Sequence, residues 1–383
     1  MPGFTNAKML LRTEKTLPRM NADERGSEYT IFDCMKFALV FLLLATTAHA
    51  QWTRMSVPTT AGLRGLSVTS DQVIWASGTG GTVVRTIDGG KTWSLMSVSG
   101  AANLDFRGIH AFDANTAVII SSGPAERSQA RIFRTVDGGK SWSEVYEQKT
   151  PGIFFDAISF WDSKHGIVLS DPVAGHFALF ATADGGSSWK EIPSSMLPPA
   201  RPGEGAFAAS NSCLTVHGKS DVWFASGGAG VARVFRSTDR GRTWSVSKTP
   251  MHPANTSSGI FSLAFADAEN GVAVGGDYQH PDGSDLPNVL ITSDGGRSWH
   301  SGPATDPAGV YFSSVALDDG RIIAAGIRGL WSSAITFGPN GTKTRSGAAH
   351  WKQESTENVN TVAVGHHKVW AVGAGALVLT RVK

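Results

Sequence analysis

Cysteine is nearly absent, with only Cys34 and Cys213 in 383 residues. That excludes a disulfide framework, and no C-x-x-C, H-E-x-x-H or H-x-x-E-H spacing offers a metal site. No metal and no cofactor is therefore expected. Charge is sparse at 17% and nearly balanced, with 34 basic and 32 acidic residues and a net charge of +2. A chain so neutral lacks the basic surface of a nucleic-acid binder and the polybasic stretch of a membrane anchor. Tyrosine is scarce, with four residues in all. Long apolar runs are missing too: Phe37 to Ala45 is too short to span a bilayer.

The plentiful residues point the other way. Gly (44) and Trp (12) are abundant, and 41% of the chain is hydrophobic. This composition is too apolar for disorder and suits short strands joined by tight turns. The segment Met35 to Ala50 reads as a secretory signal peptide. Lys36 is its positive start, Phe37–Ala45 its apolar centre and Ala48-His49-Ala50 its cleavage site. Cleavage after Ala50 gives an exported protein, periplasmic or secreted. Residues 1–34 precede a complete signal and read as an upstream extension, with Met35 as the true start. Cys213 is then the one cysteine left, in the apolar stretch Cys213-Leu214-Thr215-Val216, and is expected to be buried and inert.

One phrase recurs five times. It is Thr86-Ile-Asp88-Gly-Gly-Lys-Thr92-Trp93, and its copies centre on Asp137 with Trp142, Asp184 with Trp189, Asp239 with Trp244 and Asp294 with Trp299. The Asp-to-Asp spacings are 49, 47, 55 and 55 residues, the length of one four-stranded blade. An Asp carboxylate can accept backbone N–H groups of its own turn, Gly supplies positive φ, and Trp opens the next strand and fills the gap between blades. The Asp residues are therefore read as structural, spread around a rim.

The fold expected is all-β: a single seven-bladed β-propeller over residues 51–383, with four-stranded antiparallel blades. In the first blade, Leu63–Val68, Val73–Ala76, Val83–Thr86 and Thr92–Val98 are the predicted strands. A sixth blade has Val310–Leu317, Ile322–Ala325 and an outer strand near His350-Trp351, and its turn around Asn340-Gly341 lacks the phrase. The C-terminus supplies three strands, Asn360–Val364, Val369–Val372 and Leu377–Thr380. Trp52–Val57 is an outer strand with no blade before it. Pairing the two ends closes the ring and leaves no open edge at the seam. Seven outer-strand Trp residues follow: 52, 93, 142, 189, 244, 299 and 351.

The Asp turns occupy one face. The loops between strands two and three, and between blades, occupy the other, where function is sought. Polar insertions there run from Ser121 to Arg131, from Ser170 to His176 and from Gly276 to Asp285, with Arg201–Phe207 leading into blade four. The candidate binding residues are Arg64, Arg107, Glu126, Arg127, Arg131, Asp156, Asp171, His176, Glu204, Asp277, Tyr278 and His280. No catalytic residue is assigned. Each has a plainer use: Asp277 as a turn former, Glu126 and Arg127 as a solvated tip, and His366-His367 as a surface turn.

The phrase S/T-x-D-x-G-x-T/S-W resembles the Asp-box, or bacterial neuraminidase repeat. The blade running from Leu263-Ala-Phe265 through Gly271-Val-Ala-Val-Gly275 to Asp294 and Trp299 looks like the photosystem II stability/assembly factor family and its relatives in non-photosynthetic bacteria. The resemblance covers residues 51–383. It implies a non-catalytic, monomeric, exported propeller that binds other proteins through an Arg-rich patch, with Arg64, Arg107, Arg127 and Arg131 as candidates. The alternative is a glycoside hydrolase, sialidase- or xyloglucanase-like, acting on a glycan through carboxylates such as Asp171 and Asp277. The Phe/Tyr-Arg-Ile-Pro start of sialidases is missing; Arg131-Ile132-Phe133-Arg134 is not it. The signal reading has a direct check: Edman sequencing of the chain recovered from the cell envelope or medium should begin Gln51-Trp52. A first residue upstream of Met35 would remove the leader reading.

Overall fold

A computed structural model describes residues 51–228, 230, 232–305, 308–337 and 350–383. The predicted extension, leader and Asn340-Gly341 turn lie outside the described residues. Seven antiparallel sheets form a ring of blades; in six the four blade strands run in sequence order from the channel outward, in blade 7 the outer strand comes from the N-terminal side, and two short strands extend the blade 5 sheet on its inner side. Blade 1 comprises Leu63–Val68, Ile74–Gly78, Thr82–Thr86 and Ser94–Ser97. The inner strands of blades 2 to 6 are Phe106–Ala111, Phe155–Phe160, Leu214–His217, Ser258–Phe265 and Ser314–Asp318. Blade 7 holds Val359–Val364, Lys368–Gly373 and Val378–Val382, and Thr53–Arg54 is its outer strand. Only two short 3-10 turns, Ala125–Arg127 and Ser194–Met196, interrupt the strands among the described residues. No helix there is long and apolar enough to cross a membrane.

The core lies between the blades. Among the described residues, seven apolar clusters each join one pair of neighbouring blades. Each cluster also holds one of the seven outer-strand Trp residues. Trp142 meets Trp75 of blade 1 edge-on at 6.2 Å, and Trp93 meets Trp370 of blade 7 at 6.1 Å. Gly90 has φ 91°, and a Cβ there would sit 2.7 Å from the Trp370 ring. Glycine thus satisfies the turn and lets blade 1 close on blade 7.

All five Asp-box turns share one hydrogen-bond scheme. In blade 1, the Thr92 N–H and hydroxyl donate to the two oxygens of Asp88 at 2.9 and 2.5 Å, and the Thr86 hydroxyl donates at 2.7 Å. The Thr86 oxygen accepts the buried Gly90 N–H at 2.9 Å. The hydroxyl and then the amide of Thr92 pull the Asp88 carboxyl down to about 2. Asp137, Asp184, Asp239 and Asp294 repeat the scheme with Ser141, Ser188, Thr243 and Ser298. These Asp residues are consumed by their own turns.

The ends pair as expected, although over fewer residues. Thr53 faces Thr380 and Arg54 faces Leu379, and Met55 N–H adds a bond to Val378 at 2.8 Å. The indole N–H of Trp52 donates to Glu354 of blade 6 at 2.9 Å, and Arg381 lies over the Trp52 ring at 5.3 Å. Blade 3 corrects one expectation. Ser170–His176 is not a loop: strands Gly166–Val173 and His176–Thr182 continue to a two-residue turn. Ala174 (φ 49°) and Gly175 (φ 83°) both take positive φ, the condition for a tight hairpin between right-twisted strands. The sixth outer strand, expected near His350-Trp351, begins one residue later and runs Lys352–Ser355.

Removing residues 51–58 deletes that outer strand and the Trp52, Met55 and Val57 contacts. We expect a loss of about 3 kcal/mol or more, and a Tm lower by roughly 10 °C. A truncated chain that melts with the intact one would disprove closure through this strand.

Candidate functional site

A β-bulge recurs near the start of the inner strands. The register slips between Leu63 and Gly65, Phe106 and Gly108, Phe155 and Ala157, Ile260 and Ser262, and Val359 and Thr361. The residues between, Arg64, Arg107, Asp156, Phe261 and Asn360, are unpaired in the ladder, and a bulge re-aims such a residue. All five line one cavity of about 540 Å³ at the mouth of the channel, on the face opposite the Asp turns. In blade 2 the residue after the bulge has no room for a side chain. A Cβ on Gly108 would fall 2.6 Å from both Asn211 Oδ1 and Ile120 Cγ1.

The rest of the wall comes from the excursion between blades 3 and 4. Its strand Glu204–Gly205 pairs with Gly227–Gly228, which pairs with Gly259 of blade 5. Glu204 anchors it in a buried ion pair with Arg233, whose Nε donates at 2.8 Å, and it also accepts Ser226 Oγ at 2.6 Å and Arg201 N–H at 2.8 Å. So held, Phe207 stacks on Phe261 with ring centroids 3.8 Å apart. Tyr311 meets Phe261 edge-on at 4.8 Å, and Tyr278, 45% exposed, closes that side at 6.2 Å.

The mouth is electrically uneven. On the side of blades 1 and 2, Arg107 pairs with Asp105 at 2.7 Å. Arg64 has no ion pair among the described residues; its Nη1 lies 3.4 Å from the Ala209 carbonyl. Burial, and then the charge of Arg107, lower the Arg64 pKa. Blade 3 presents two carboxylates. Asp156 is 1% exposed, and its Oδ2 is buried without a hydrogen-bond donor. Burial, then the charge of Asp171, push its carboxyl well up, against a smaller opposing pull from Arg107. Asp171 accepts the Ala206 N–H at 2.9 Å, and burial raises it to about 6.

Of the predicted binding residues, Arg64, Arg107, Asp156, Asp171 and Tyr278 share this cavity. The others do not line it. Glu126 and Arg127 form an exposed 3-10 turn, and Arg131 reaches Glu144 of the outer strand at 3.0 Å. His176 opens the third strand of blade 3. Asp277 is buried and fully engaged, accepting Ser257 Oγ at 2.6 Å, Gln279 N–H at 2.9 Å and Asn255 Nδ2 at 3.0 Å, with His280 Nδ1 at 2.9 Å. Phe207, Phe261, Tyr311 and Asn360 were missed. The signal for two of them was in the sequence: Ile-Phe261-Ser-Leu and Val-Asn360-Thr-Val repeat the pattern of Leu-Arg64-Gly-Leu and Phe-Asp156-Ala-Ile.

Two other places hold functional groups. A groove of about 730 Å³ on the Asp-turn face lies between blades 3 and 4, beside Trp161, Ile192 and Met196. The Asp184 on its wall is engaged in its own turn. At the seam, the His366-His367 turn meets Asp71, which accepts His367 N–H at 2.8 Å. Their ligating atoms lie within 4.8 Å of one another.

The sequence model of the family described as photosynthesis system II assembly factor YCF48 matches residues 44–153. No curated protein matches the chain. Among solved structures, YCF48 bound to a D1 peptide superposes with a TM-score of 0.60 at 18% identity, covering 88% of this chain and 98% of that one. YCF48 from Cyanidioschyzon merolae gives 0.60 at 16% identity, covering 87% and 99%. A GH74 enzyme of Niastella koreensis gives 0.52 at 15%, covering 82% of this chain and 51% of its own. The chain thus spans about half of that enzyme and nearly all of the YCF48 chains. It is an Asp-box β-propeller resembling the photosystem II assembly factor family.

The carboxylate pair generates a pH prediction. The Asp171 pKa is raised in the fold, to about 6 from 3.8, so the native state holds more protons than the unfolded chain between those values. Its favourable share of stability is complete below about pH 4 and lost as pH rises through 6. Asp171→Asn keeps the acceptor for Ala206. It should raise the unfolding free energy at pH 7.5 by up to about 3 kcal/mol and leave it unchanged at pH 4. Urea melts at the two pH values measure this, and an equal effect at both would contradict the assignment.

Proposed function

We propose that this chain is an exported, non-catalytic propeller that binds a protein partner, seating a peptide segment of it in the channel mouth. The observation that carries the reading is the convergence of bulge residues on one cavity: two arginines, two carboxylates and an aromatic wall around about 540 Å³. Such a cavity has apolar anchoring area and charged groups that fix orientation, the usual make-up of a recognition site. The match to the YCF48 family and the likeness to a YCF48 structure bound to a D1 peptide support a protein ligand. The leader-like sequence of Met35–Ala50 is the support for export.

A second reading rests on the carboxylate pair. Two acids in one cavity with raised pKa values are what glycoside hydrolysis needs, and GH74 enzymes share the architecture. The two readings separate by assay. Partners captured by the tagged chain from its own host should fall at least tenfold with Arg64→Gln plus Tyr278→Ala, and stay with Glu126→Gln plus Arg127→Gln. Equal capture by all three chains would rule out the mouth. Reducing ends released from β-glucan oligosaccharides, and abolished by Asp171→Asn, would establish the hydrolase instead.

A further inference from the structure

We propose that the blade 3 side of the mouth is a pocket for a cationic side chain, a lysine or arginine of the bound peptide, received between Asp156 and Asp171. This rests on the mouth being a peptide site, and it specifies what that site reads.

The central observation is an unsatisfied buried carboxylate. Asp156 is 1% exposed, faces the cavity and has an oxygen with no donor. A buried acceptor left unpaired is costly, and a buried charge more so unless it is paired. Among the described residues none donates a hydrogen bond to that oxygen. Arg107, the cation that acts on Asp156, is already engaged by Asp105 at 2.7 Å. Asp171 is the nearest acidic neighbour to act on it, and its one backbone donor, Ala206, occupies Oδ1 alone. Phe154 and Phe207, which line the same cavity, carry no donor in their side chains.

The surroundings select the class of ligand. An ammonium or guanidinium brings several N–H donors and a positive charge, and so completes both carboxylates. The cavity admits the long apolar stem of lysine or arginine while its charged end reaches the floor. An anion is repelled here, and the arginines that would welcome one lie toward blades 1 and 2. The mouth therefore reads polarity along a peptide, and electrostatic complementarity of this kind sets orientation and register.

A displayed library of random heptapeptides, selected on the immobilised full chain, tests this. The selected peptides should share a lysine or arginine at one fixed position. Changing it to glutamine should weaken binding at least tenfold to the wild-type chain and less than twofold to the Asp156→Asn, Asp171→Asn chain. Both substitutions preserve shape and remove the acidic groups, and a melting curve confirms that the variant is folded. Peptides selected without a fixed cation, or a glutamine effect of equal size on both chains, would overturn the cation pocket while leaving a peptide-binding mouth intact. A library that yields no binder sensitive to Arg64→Gln plus Tyr278→Ala would overturn the mouth reading and this one together.

Discussion

The ring depends on one short join. Blade 7 receives its outer strand from the opposite end of the described chain, and only Thr53 and Arg54 pair in register. Two residues of ladder are weak by themselves. The join is reinforced beyond the sheet, because Glu354 of blade 6 takes both the Trp52 indole and the Arg381 guanidinium, the latter at 2.7 and 2.9 Å. Trp52 thereby links blades 6 and 7, while Met55 and Val57 pack between blades 7 and 1. An open ring would expose two sheet edges and two apolar interfaces. Every other blade contact has its full geometry only while this one holds.

Closure also explains the mouth. Seven inner strands crowd around an axis, and in five of them a bulge turns the strand there without losing its outer pairing. The bulged residue is released from the ladder and aimed at the channel. The blade-to-blade repeat thus carries two messages at opposite ends. The Asp turn is the same in five blades because its work is the same. The bulge residue differs, as Arg, Arg, Asp, Phe and Asn, because no backbone bond constrains its identity.

This difference accounts for what could be read from the sequence. The Asp phrase is local, with all the hydrogen bonds of its Asp carboxylate inside seven residues, so five copies announced the scaffold and its period. Trp52 was legible because it matched the other outer-strand Trp residues in place and type. Arg64, Arg107 and Asp156 were legible as charged residues starting inner strands. Phe207 was not legible as a wall of the site, since its place depends on Glu204 meeting Arg233 and on a strand pairing with Gly227–Gly228. Asp277 read as a candidate binding residue because its donors Ser257 and Asn255 come from the segment just before strand Ser258–Phe265. Ser170–His176 looked like a loop because Pro172 and Gly175 are turn residues; the structure uses Gly175 in a two-residue turn and fits Pro172 beside a bulge.

The mouth shows where the fold departs from its own economy. Two other buried carboxylates are satisfied: Glu204 takes four donors, and Asp277 meets three donors and the His280 ring. Those two sit near the same face, on neighbouring segments, and are built into the frame. Asp156 occupies the corresponding depth in blade 3 without any such support. A chain that satisfies the first two had the means to satisfy the third, for instance with the Asn that stands at the equivalent bulge of blade 7. Burying an acid without donors costs stability as pH rises, and such a residue persists where something outside the fold completes it. The frame residues thus hold the mouth open, and the unsatisfied one marks the point where a ligand finishes the structure.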